Sequence, residues 1–402
     1  MTSTYRVPLA FNAFGDEERH AVEEILASGH LTMGKNCAAF EEEFAERLGV
    51  RHAIFVNSGS SANLISIFAI ANPRVPLSEN RKQLRPGDEV IVPALTWSTT
   101  IWPVVQAGGC PVLVDCDPNT LQMDINAVRM AISAKTVAIL PTHIMGNSVD
   151  MDAILDIAEE HNLWVIEDCC EALGTQYDNR NVGTFGAYGT FSFYFSHHMT
   201  TIEGGMVVTN DDHLADLARC LRAHGWVRDM NNTEEFVTDG KQIDTKYLFV
   251  NTGFNLRPTE FNGAIGRAQI RKLDNYNRRR MEIASIWNQT LEPLAQQGKL
   301  YPMRTSPQSL PVPFAYPVHT QNSETKIELQ QWMENAGIET RPIVCGNMAR
   351  HPAFEIIEHR IIASLDGADK LMDCGFYWGI DPEMDNANVK FVADTVRKFF
   401  EQ

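Results

Sequence analysis

The sequence predicts an α/β fold with a large domain on a mostly parallel sheet and a smaller α+β domain after it. Seven short runs rich in apolar and β-branched residues occur between residues 50 and 210, and helical patterns separate several of them. Strands that are apolar on both faces and alternate with helices are typical of a parallel sheet covered on both sides. The runs are 52–57, 89–95, 110–116, 136–143, 163–169, 190–194 and 206–210.

The second part of the chain has a different pattern. A helical pattern over residues 253–280 is long enough to bridge two domains, and beyond residue 282 helices mix with strands near 311–318 and 337–344. A chain of 402 residues is also long for a single core. We therefore predict a large cofactor-binding domain over 1–265, with a seven-stranded sheet, and a small C-terminal domain with the bridging helix over 266–402.

Composition and charge exclude several classes of partner. The chain has 34 Lys and Arg residues against 51 Asp and Glu residues, a net charge of -17, which disfavours nucleic acid and anionic membranes as main partners. No apolar run approaches the roughly 20 residues of a membrane span, and we see no signal peptide. The eight cysteines include no CxxC pair. We therefore expect reduced thiols, a cytoplasmic protein and no metal site.

The segment VNSGSSANL, residues 56–64, follows one predicted strand and leads into a helical pattern. Small residues at a helix start leave backbone N–H groups free to face an anion, and serine hydroxyls add donors. An ordinary strand-to-helix cap explains the segment equally well.

The strand in WVIEDCCEALG ends in acidic residues, with Asp168 at the strand end and Glu171 three residues later. A carboxylate in this position can hold the protonated nitrogen of a pyridine cofactor, which turns the ring into an electron sink. A helix cap or a solvated acid would be the alternative for an isolated motif of this kind.

Taken in order, these motifs identify a family resemblance. SGSSAN, GDEVIVPALTW, CPVLVDCDPNT, IEDCCEALG, GTFGAYGTFSFY, EGG and GFNLRPTE cover roughly residues 10 to 270. In order and spacing they resemble the pyridoxal-phosphate-dependent sugar aminotransferases of the DegT/DnrJ/EryC1/StrS family. The resemblance implies fold type I and a homodimer with shared active sites.

His197 occupies the position of the lysine that binds the cofactor covalently in family aminotransferases, five residues after Ser192. No lysine occurs between Lys135 and Lys241. An imidazole cannot form that link, but it can move protons near neutral pH. This substitution resembles the nucleotide-sugar 3-dehydratase branch, and within it the enzymes that act on GDP-4-keto-6-deoxy-D-mannose in colitose biosynthesis for the O-antigen of lipopolysaccharide. A sister group carries an iron–sulfur cluster on cysteines, but residues 222–236 contain none, so we expect no such cluster.

For the cofactor phosphate, the resemblance implies donors from Gly59 and Ser60, helped by Asn255 across a dimer interface. Ser192 would hold the phosphate or approach the substrate.

For the cofactor ring, the resemblance places Trp97 in a stack on the pyridine, Asp168 at its nitrogen and Glu171 near its hydroxyl group. A tryptophan in an apolar segment is more commonly a core residue, so the stacking role of Trp97 depends on its position at a strand end.

For the substrate, the resemblance makes His197 the catalytic base, with His224 of a neighbouring subunit lining the sugar pocket. An ordinary surface role for His224 stays open, because Arg222 and Arg228 flank it. Arg341 is a candidate for contact with the nucleotide sugar. His198 should point to the opposite side from His197 in an extended backbone, which indicates a supporting role.

The implied reaction uses unanchored pyridoxamine phosphate to remove the C3 hydroxyl of a 4-keto-6-deoxy sugar, with L-glutamate restoring the amine from pyridoxal phosphate. Two alternatives stay open: an aminotransferase that uses a lysine from elsewhere in the chain, and an inactive cofactor-binding sensor or scaffold. The nucleotide is open among GDP, CDP and dTDP, with GDP favoured.

Overall fold

A computed structural model describes residues 5–10, 13–77, 81–233, 236 and 244–402 of the chain. The α-helices are α1 (Asp16–Ser28), α2 (Lys35–Leu48), α3 (Gly59–Ile70), α4 (Ser98–Gln106), α5 (Ile125–Ala131), α6 (Met151–His161), α7 (Asp212–Arg222), α8 (Glu260–Ile270), α9 (Leu273–Gln296), α10 (Ser323–Asn335), α11 (Asp366–Cys374) and α12 (Asn386–Phe400). The strands are β1 (His52–Val56), β2 (Glu89–Pro93), β3 (Cys110–Val114), β4 (Thr136–Ile139), β5 (Trp164–Asp168), β6 (Gln176–Tyr177), β7 (Arg180–Asn181), β8 (Tyr188–Ser192), β9 (Gly205–Thr209), β10 (Leu300–Pro302), β11 (Ser309–Leu310), β12 (Ala315–Thr320), β13 (Thr340–Arg341), β14 (Arg360–Ile361) and β15 (Gly375–Gly379).

The central sheet has the strand order β1-β9-β8-β5-β4-β2-β3-β14. Only β9 runs against the others, since it pairs antiparallel with both β1 and β8 while the remaining pairs are parallel. The predicted α/β class is confirmed, and each of the seven predicted runs contains a strand of this sheet. The eighth strand, β14, has only two residues and no strand pattern of its own. Arg360 secures it with two hydrogen bonds to the Glu89 carboxylate, of 3.0 and 2.7 Å.

The direction of the strands decides where a site can form. The carboxyl ends of β2, β4, β5 and β8 lie at one edge of the sheet because these strands are parallel. Since β9 runs the opposite way, the loop that precedes it reaches the same edge. Loops that end parallel strands therefore gather here, as they do at ligand sites of other open α/β sheets.

Both faces of the central sheet are buried. On one face, five phenylalanines form a cluster in which most ring pairs are edge-to-face, with centroids about 5 to 6 Å apart. They are Phe40, Phe44, Phe55, Phe191 and Phe193. The other face packs against α3, α4 and α7. Because the strands are packed on both faces, the side chains at their ends are held on a rigid base.

The C-terminal part has its own four-stranded antiparallel sheet, in the order β10-β12-β15-β13. The 24-residue helix α9 packs beside it, and Trp287, Tyr316 and Trp378 form the centre of a separate apolar cluster. The strands expected near 311–318 and 337–344 are present as β12 and β13. The division of the chain into domains at residue 265 stays a prediction. Among the described helices, none combines the length and the apolar character needed to cross a membrane.

We expect Trp287→Ala to lower the free energy of unfolding by about 3–5 kcal/mol, the usual cost of removing a large buried aromatic side chain. Trp287 is fully buried, and its indole N–H donates to the Val389 carbonyl at 2.9 Å. The matched control is Ile286→Ala, one residue earlier on the same helix, where the side chain is 40% exposed. Chemical denaturation of both variants checks the prediction, and equal losses would contradict it.

Candidate active site

A pocket of about 470 Å³ opens at the carboxyl edge of the central sheet. It brings together seven of the residues predicted from the sequence, namely Gly59, Ser60, Trp97, Asp168, Glu171, Ser192 and His197. The remaining lining includes Ser58, Asn63, Thr99, Thr100, Thr142, Ile144, Met145, Cys170, Tyr194, Ser196, Glu203, Phe314, Val344 and Tyr377. No lysine is among the lining residues in the part of the chain that the structure describes.

The amino end of α3 forms one wall of the pocket. Ser58 caps this helix by accepting a hydrogen bond from the Ser61 N–H at 3.1 Å. Gly59 has no room for a side chain, since a Cβ atom would lie 2.5 Å from Ser192 Cβ and 2.9 Å from Cys170 Sγ. Ser60 places its hydroxyl beside that of Thr99, at 2.9 Å. The exposed backbone N–H groups and hydroxyls suit a phosphate group.

Asp168 ends β5 with its side chain buried, at 3% exposure. One carboxylate oxygen accepts hydrogen bonds from the Asn63 amide and the Thr100 hydroxyl, both at 2.8 Å, and the other accepts from the Cys170 N–H at 3.1 Å. These donors are all neutral, and no ion pair to Asp168 occurs among the described residues. A buried carboxylate held in this way fits a cationic ring nitrogen as its partner.

His197 faces the same pocket from the loop that follows β8. Its Nδ1–H donates to the Cys170 carbonyl at 2.6 Å, which fixes the tautomer and leaves Nε2 with a lone pair. Burial lowers the pKa of His197 to about 4, although the Cys170 carbonyl and Asp168 act in the opposite direction. No hydrogen-bond partner of Nε2 occurs among the described residues. A neutral imidazole with a free Nε2 lone pair can accept a proton from a group bound in the pocket.

Glu171 lies beside Asp168 and accepts a hydrogen bond from the Met145 N–H at 2.9 Å. Burial raises the pKa of Glu171 to about 7, with a further contribution from the negative charge of Asp168 and an opposing one from the Met145 N–H. Tyr377 of β15 forms part of the opposite wall, and burial raises its pKa to about 12. The pocket therefore offers one carboxyl group that exchanges its proton near neutral pH.

The sequence prediction missed several lining residues. Asn63 lies one helical turn after Gly59, and Thr100 follows Trp97 by three positions, so helix periodicity could have indicated both. Thr190, outside the lining, supports Asn63, because its hydroxyl donates to the Asn63 side-chain oxygen at 2.6 Å. Phe314 and Tyr377 come from the C-terminal part, and no local pattern links them to this edge.

Three predicted residues lie elsewhere within one chain. Asn255 lines a second pocket of about 510 Å³, and His224, with φ +64°, lies 3.5 Å from the Arg257 guanidinium. Arg341 is exposed on β13, where it pairs with Glu339 at 2.7 Å. His198 is buried outside the active-site pocket. A second copy of the chain would have to bring Asn255 and His224 to the pocket for their predicted roles.

A different group of side chains has the composition of a metal site. His143, Glu167 and Cys169 are buried together. His143 Nδ1 accepts from the Val149 N–H at 3.2 Å, and its Nε2–H donates to Glu167 at 3.3 Å. Glu167 also accepts from the N–H groups of Gly183, Phe185 and Gly186, each at 2.7 to 2.8 Å. These bonds give the group a structural role in holding the loop before β8.

Comparison with known proteins identifies the family of this chain. A sequence profile described as the DegT/DnrJ/EryC1/StrS aminotransferase family matches residues 12–397. The chain belongs to this family. The matched range extends the resemblance seen in the motifs to nearly the whole chain.

Individual relatives differ in activity. The chain is 36% identical to the GDP-4-keto-6-deoxy-D-mannose 3-dehydratase of Yersinia pseudotuberculosis over 92% of its length and 93% of the relative. It is 34% identical to the GDP-perosamine synthase of Escherichia coli O157:H7, with 98% of each chain covered. Identities this similar do not separate the two activities.

Solved structures share the fold and contain ligands. The GDP-4-keto-6-deoxy-D-mannose-3-dehydratase of E. coli with bound hydrated PLP has a TM-score of 0.89, 32% identity and coverage of 98% and 99%. A mutant of such an enzyme with bound GDP-perosamine has a TM-score of 0.89, 31% identity and coverage of 97% and 100%. A third structure, with a trapped PLP-glutamate geminal diamine, has a TM-score of 0.85, 31% identity and the same coverage.

The predicted fold type and cofactor are thereby confirmed: the chain has the fold of the PLP-dependent aminotransferases and uses PLP with its amine form, PMP. The residues of the pocket fit this cofactor. The helix start at Gly59 and the hydroxyl groups beside it suit the phosphate, and the buried Asp168 suits the ring nitrogen. Trp97, whose side chain is 56% exposed, is available to cover the ring.

We expect the cofactor-free protein to lose one carboxyl proton with a midpoint near pH 7, from Glu171. In Glu171→Gln this transition should be absent, whereas Glu203→Gln, in the same pocket, should keep it. Difference infrared spectroscopy between acidic and basic pH measures the transition, and its persistence in Glu171→Gln would contradict the assignment. Because the folded state keeps a proton that the unfolded state has lost, this group should lower stability as pH rises from about 4.5 to about 7.

Proposed function

We propose that the protein is a PMP/PLP-dependent nucleotide-sugar 3-dehydratase that removes the C3 hydroxyl of a 4-keto-6-deoxyhexose to give a 4-keto-3,6-dideoxy sugar. One observation carries this proposal: the pocket that fits the cofactor contains a histidine, His197, in the position where aminotransferases of the family have lysine. Without a covalent link to the protein, the cofactor can remain in its amine form and act on the substrate directly.

When bound as PMP, the cofactor supplies an amine that condenses with the C4 ketone of the sugar and a ring that takes up the electron pair released beside it. Asp168 supports this chemistry by keeping the ring nitrogen protonated. Its carboxylate is already held by Asn63, Thr100 and the Cys170 N–H, so it needs no reorganisation when charge develops.

His197 moves the proton. Its Nε2 lone pair removes a proton from the cofactor carbon next to the ring, while the Cys170 carbonyl stabilises the protonated imidazole through Nδ1–H. The same imidazolium then gives the proton to the departing C3 hydroxyl, which leaves as water. One water would release the unsaturated amino sugar and leave the cofactor as the aldehyde, PLP. The amino sugar then tautomerises and takes up a second water to lose ammonia, which restores the ketone.

L-Glutamate supplies the reducing equivalents, since conversion to 2-oxoglutarate returns the cofactor to its amine form. His197 serves as base in this half-reaction also. The GDP-sugar and the glutamate adduct seen in structures of relatives support both substrates. GDP-4-keto-6-deoxy-D-mannose is the favoured substrate. With this substrate the protein would act in colitose and O-antigen biosynthesis in the cytoplasm.

The nucleotide diphosphate needs cations that an acidic chain must provide locally. We propose a homodimer in which a second copy presents the pocket that contains Asn255, with His224 beside it. Arg219, Arg222, Arg228 and Arg257 line that pocket. Arg341 on β13 pairs in register with Tyr377, which lines the active-site pocket, so it lies within reach of the same substrate.

An aminotransferase of the same substrate class is the second candidate, because the GDP-perosamine synthase is almost equally similar. It requires a lysine that binds the cofactor, so borohydride reduction would label a lysine permanently. The proposed dehydratase predicts no such label. An inactive cofactor-binding protein would show neither the label nor turnover.

We expect His197→Asn to lower kcat by about 10²-fold or more, the usual contribution of a general base. The cofactor Kd should stay nearly unchanged, since phosphate and ring contacts are retained. The control is His213→Asn, on the exposed surface of α7. Steady-state kinetics and a PLP titration measure both quantities, and a wild-type kcat in His197→Asn would refute the assignment.

We expect His197→Lys to restore the covalent link to PLP and to abolish removal of the C3 hydroxyl. The new lysine should give a visible absorption band and a borohydride-stable adduct in that peptide. Spectroscopy followed by peptide mass mapping tests this expectation. Retained dehydration by the variant would show that His197 is not the group that selects the reaction.

A further inference from the structure

We infer that Arg280 and His198 are positioning residues that hold the Phe314 ring against the imidazole of His197. The inference rests on the proposed role of His197 as the base. It adds Arg280, which neither the motifs nor the pocket chemistry assigned, and gives the supporting role predicted for His198 a specific form. The inference concerns segment 312–314, which belongs to the C-terminal part of the chain and reaches the active-site pocket at the carboxyl edge of the central sheet.

The Phe314 ring is in contact with His197. Their ring centroids lie 5.1 Å apart at an interplanar angle of 73°, an edge-to-face arrangement. His197 also makes a longer edge-to-face contact with the Tyr194 ring, whose centroid lies 6.1 Å away at an interplanar angle of 88°, and it donates the hydrogen bond from Nδ1–H to the Cys170 carbonyl. A single hydrogen bond allows the imidazole to rotate about its χ angles, whereas a ring packed on its side restricts that rotation. Phe314 is the nearer of the two rings, and it therefore contributes more to how firmly Nε2 faces the pocket.

The backbone of segment 312–314 is held from several sides. The His198 Nε2–H donates to the Val312 carbonyl at 3.0 Å, and the Thr175 hydroxyl accepts from the Val312 N–H at 3.1 Å. The Phe314 N–H donates to the Met145 carbonyl at 3.2 Å. His198 is thus the sequence neighbour of the base and also a support of the segment that covers it.

Arg280 supplies the remaining support from α9. Its Nη1–H donates to the Phe314 carbonyl at 2.8 Å, and the whole side chain is only 2% exposed. Burying a guanidinium costs free energy unless it is well paired, and Arg280 also donates to the Pro313 carbonyl at 3.5 Å, so it binds two successive carbonyl groups of this segment. Arg280 has a second effect: burial is the main reason why the pKa of His197 and of His198 is lowered, and the Arg280 charge lowers both further. Asp168 opposes the effect on His197, and Asp381 faces Arg280.

The first test uses the cofactor-free protein with isotope-labelled histidine, so that it requires no substrate. By nuclear magnetic resonance, wild-type His197 should show one neutral tautomer, protonated at Nδ1. Phe314→Ala and Arg280→Met should give a mixture of tautomers, and Arg278→Met, exposed on the same helix, should match the wild type. An unchanged His197 spectrum in both of the first two variants would overturn the inference.

The second test is kinetic and uses the loaded enzyme with GDP-4-keto-6-deoxy-D-mannose and glutamate. Phe314→Ala and Arg280→Met should lower kcat by about 10- to 100-fold, the range expected for a misplaced catalytic group, without a comparable rise in the cofactor Kd. The conservative variants Arg280→Lys and His198→Gln, which keep an N–H donor, should recover part of the rate relative to Arg280→Met and His198→Leu.

A double variant separates positioning from general stability. Because Arg280 is inferred to act through the Phe314 ring, Phe314→Ala combined with Arg280→Met should be no slower than Phe314→Ala alone. Fully additive losses would contradict the inference. If the protein proves to have another activity, the tautomer measurement still decides the inference, whereas failure of the tautomer measurement leaves the proposed function untouched.

Discussion

The hydrogen bond from His197 Nδ1–H to the Cys170 carbonyl is the interaction on which the site depends. It ties His197, the proposed base, to the end of β5, the strand that also carries Asp168, the proposed partner of the ring nitrogen, so that the two side chains share one support. A carbonyl can only accept, which leaves Nε2 unprotonated in the neutral ring. Without this bond, a buried histidine would have no fixed tautomer and no defined direction for its lone pair.

Several residues at or next to the pocket have positive φ angles, which residues other than glycine rarely adopt. Met145 and Val344, which line the pocket, have φ values of +56° and +47°, and Ile202, next to the lining residue Glu203, has +75°. Valine and isoleucine are strained in this region, and such residues persist where the surrounding structure over-determines them. The site is thus built on a rigid sheet edge but completed by loops that keep their shape at a cost in stability.

Much of this arrangement could be predicted from the sequence. The seven strands and the position of Asp168 at a strand end follow from local patterns, and the position of His197 in the pocket follows from a motif at a known spacing. Asn255 and His224 were expected to act across a dimer interface, and within one chain they lie away from the pocket. The short strand β14, Phe314 and Arg280 could not be predicted, because their positions depend on how the C-terminal part packs on the sheet. Long-range contacts of this kind leave no period or motif in the residues that make them.

The central claim is that a histidine in the place of lysine turns an amino-transfer site toward elimination. The most direct test is a mass spectrum of the product formed from GDP-4-keto-6-deoxy-D-mannose, PMP and L-glutamate, with ammonia and 2-oxoglutarate measured in the same mixture. We predict a sugar that has lost one oxygen atom, with ammonia and 2-oxoglutarate formed in equal amounts. A product that has gained an amino group and kept its C3 hydroxyl, with no release of ammonia, would contradict the account.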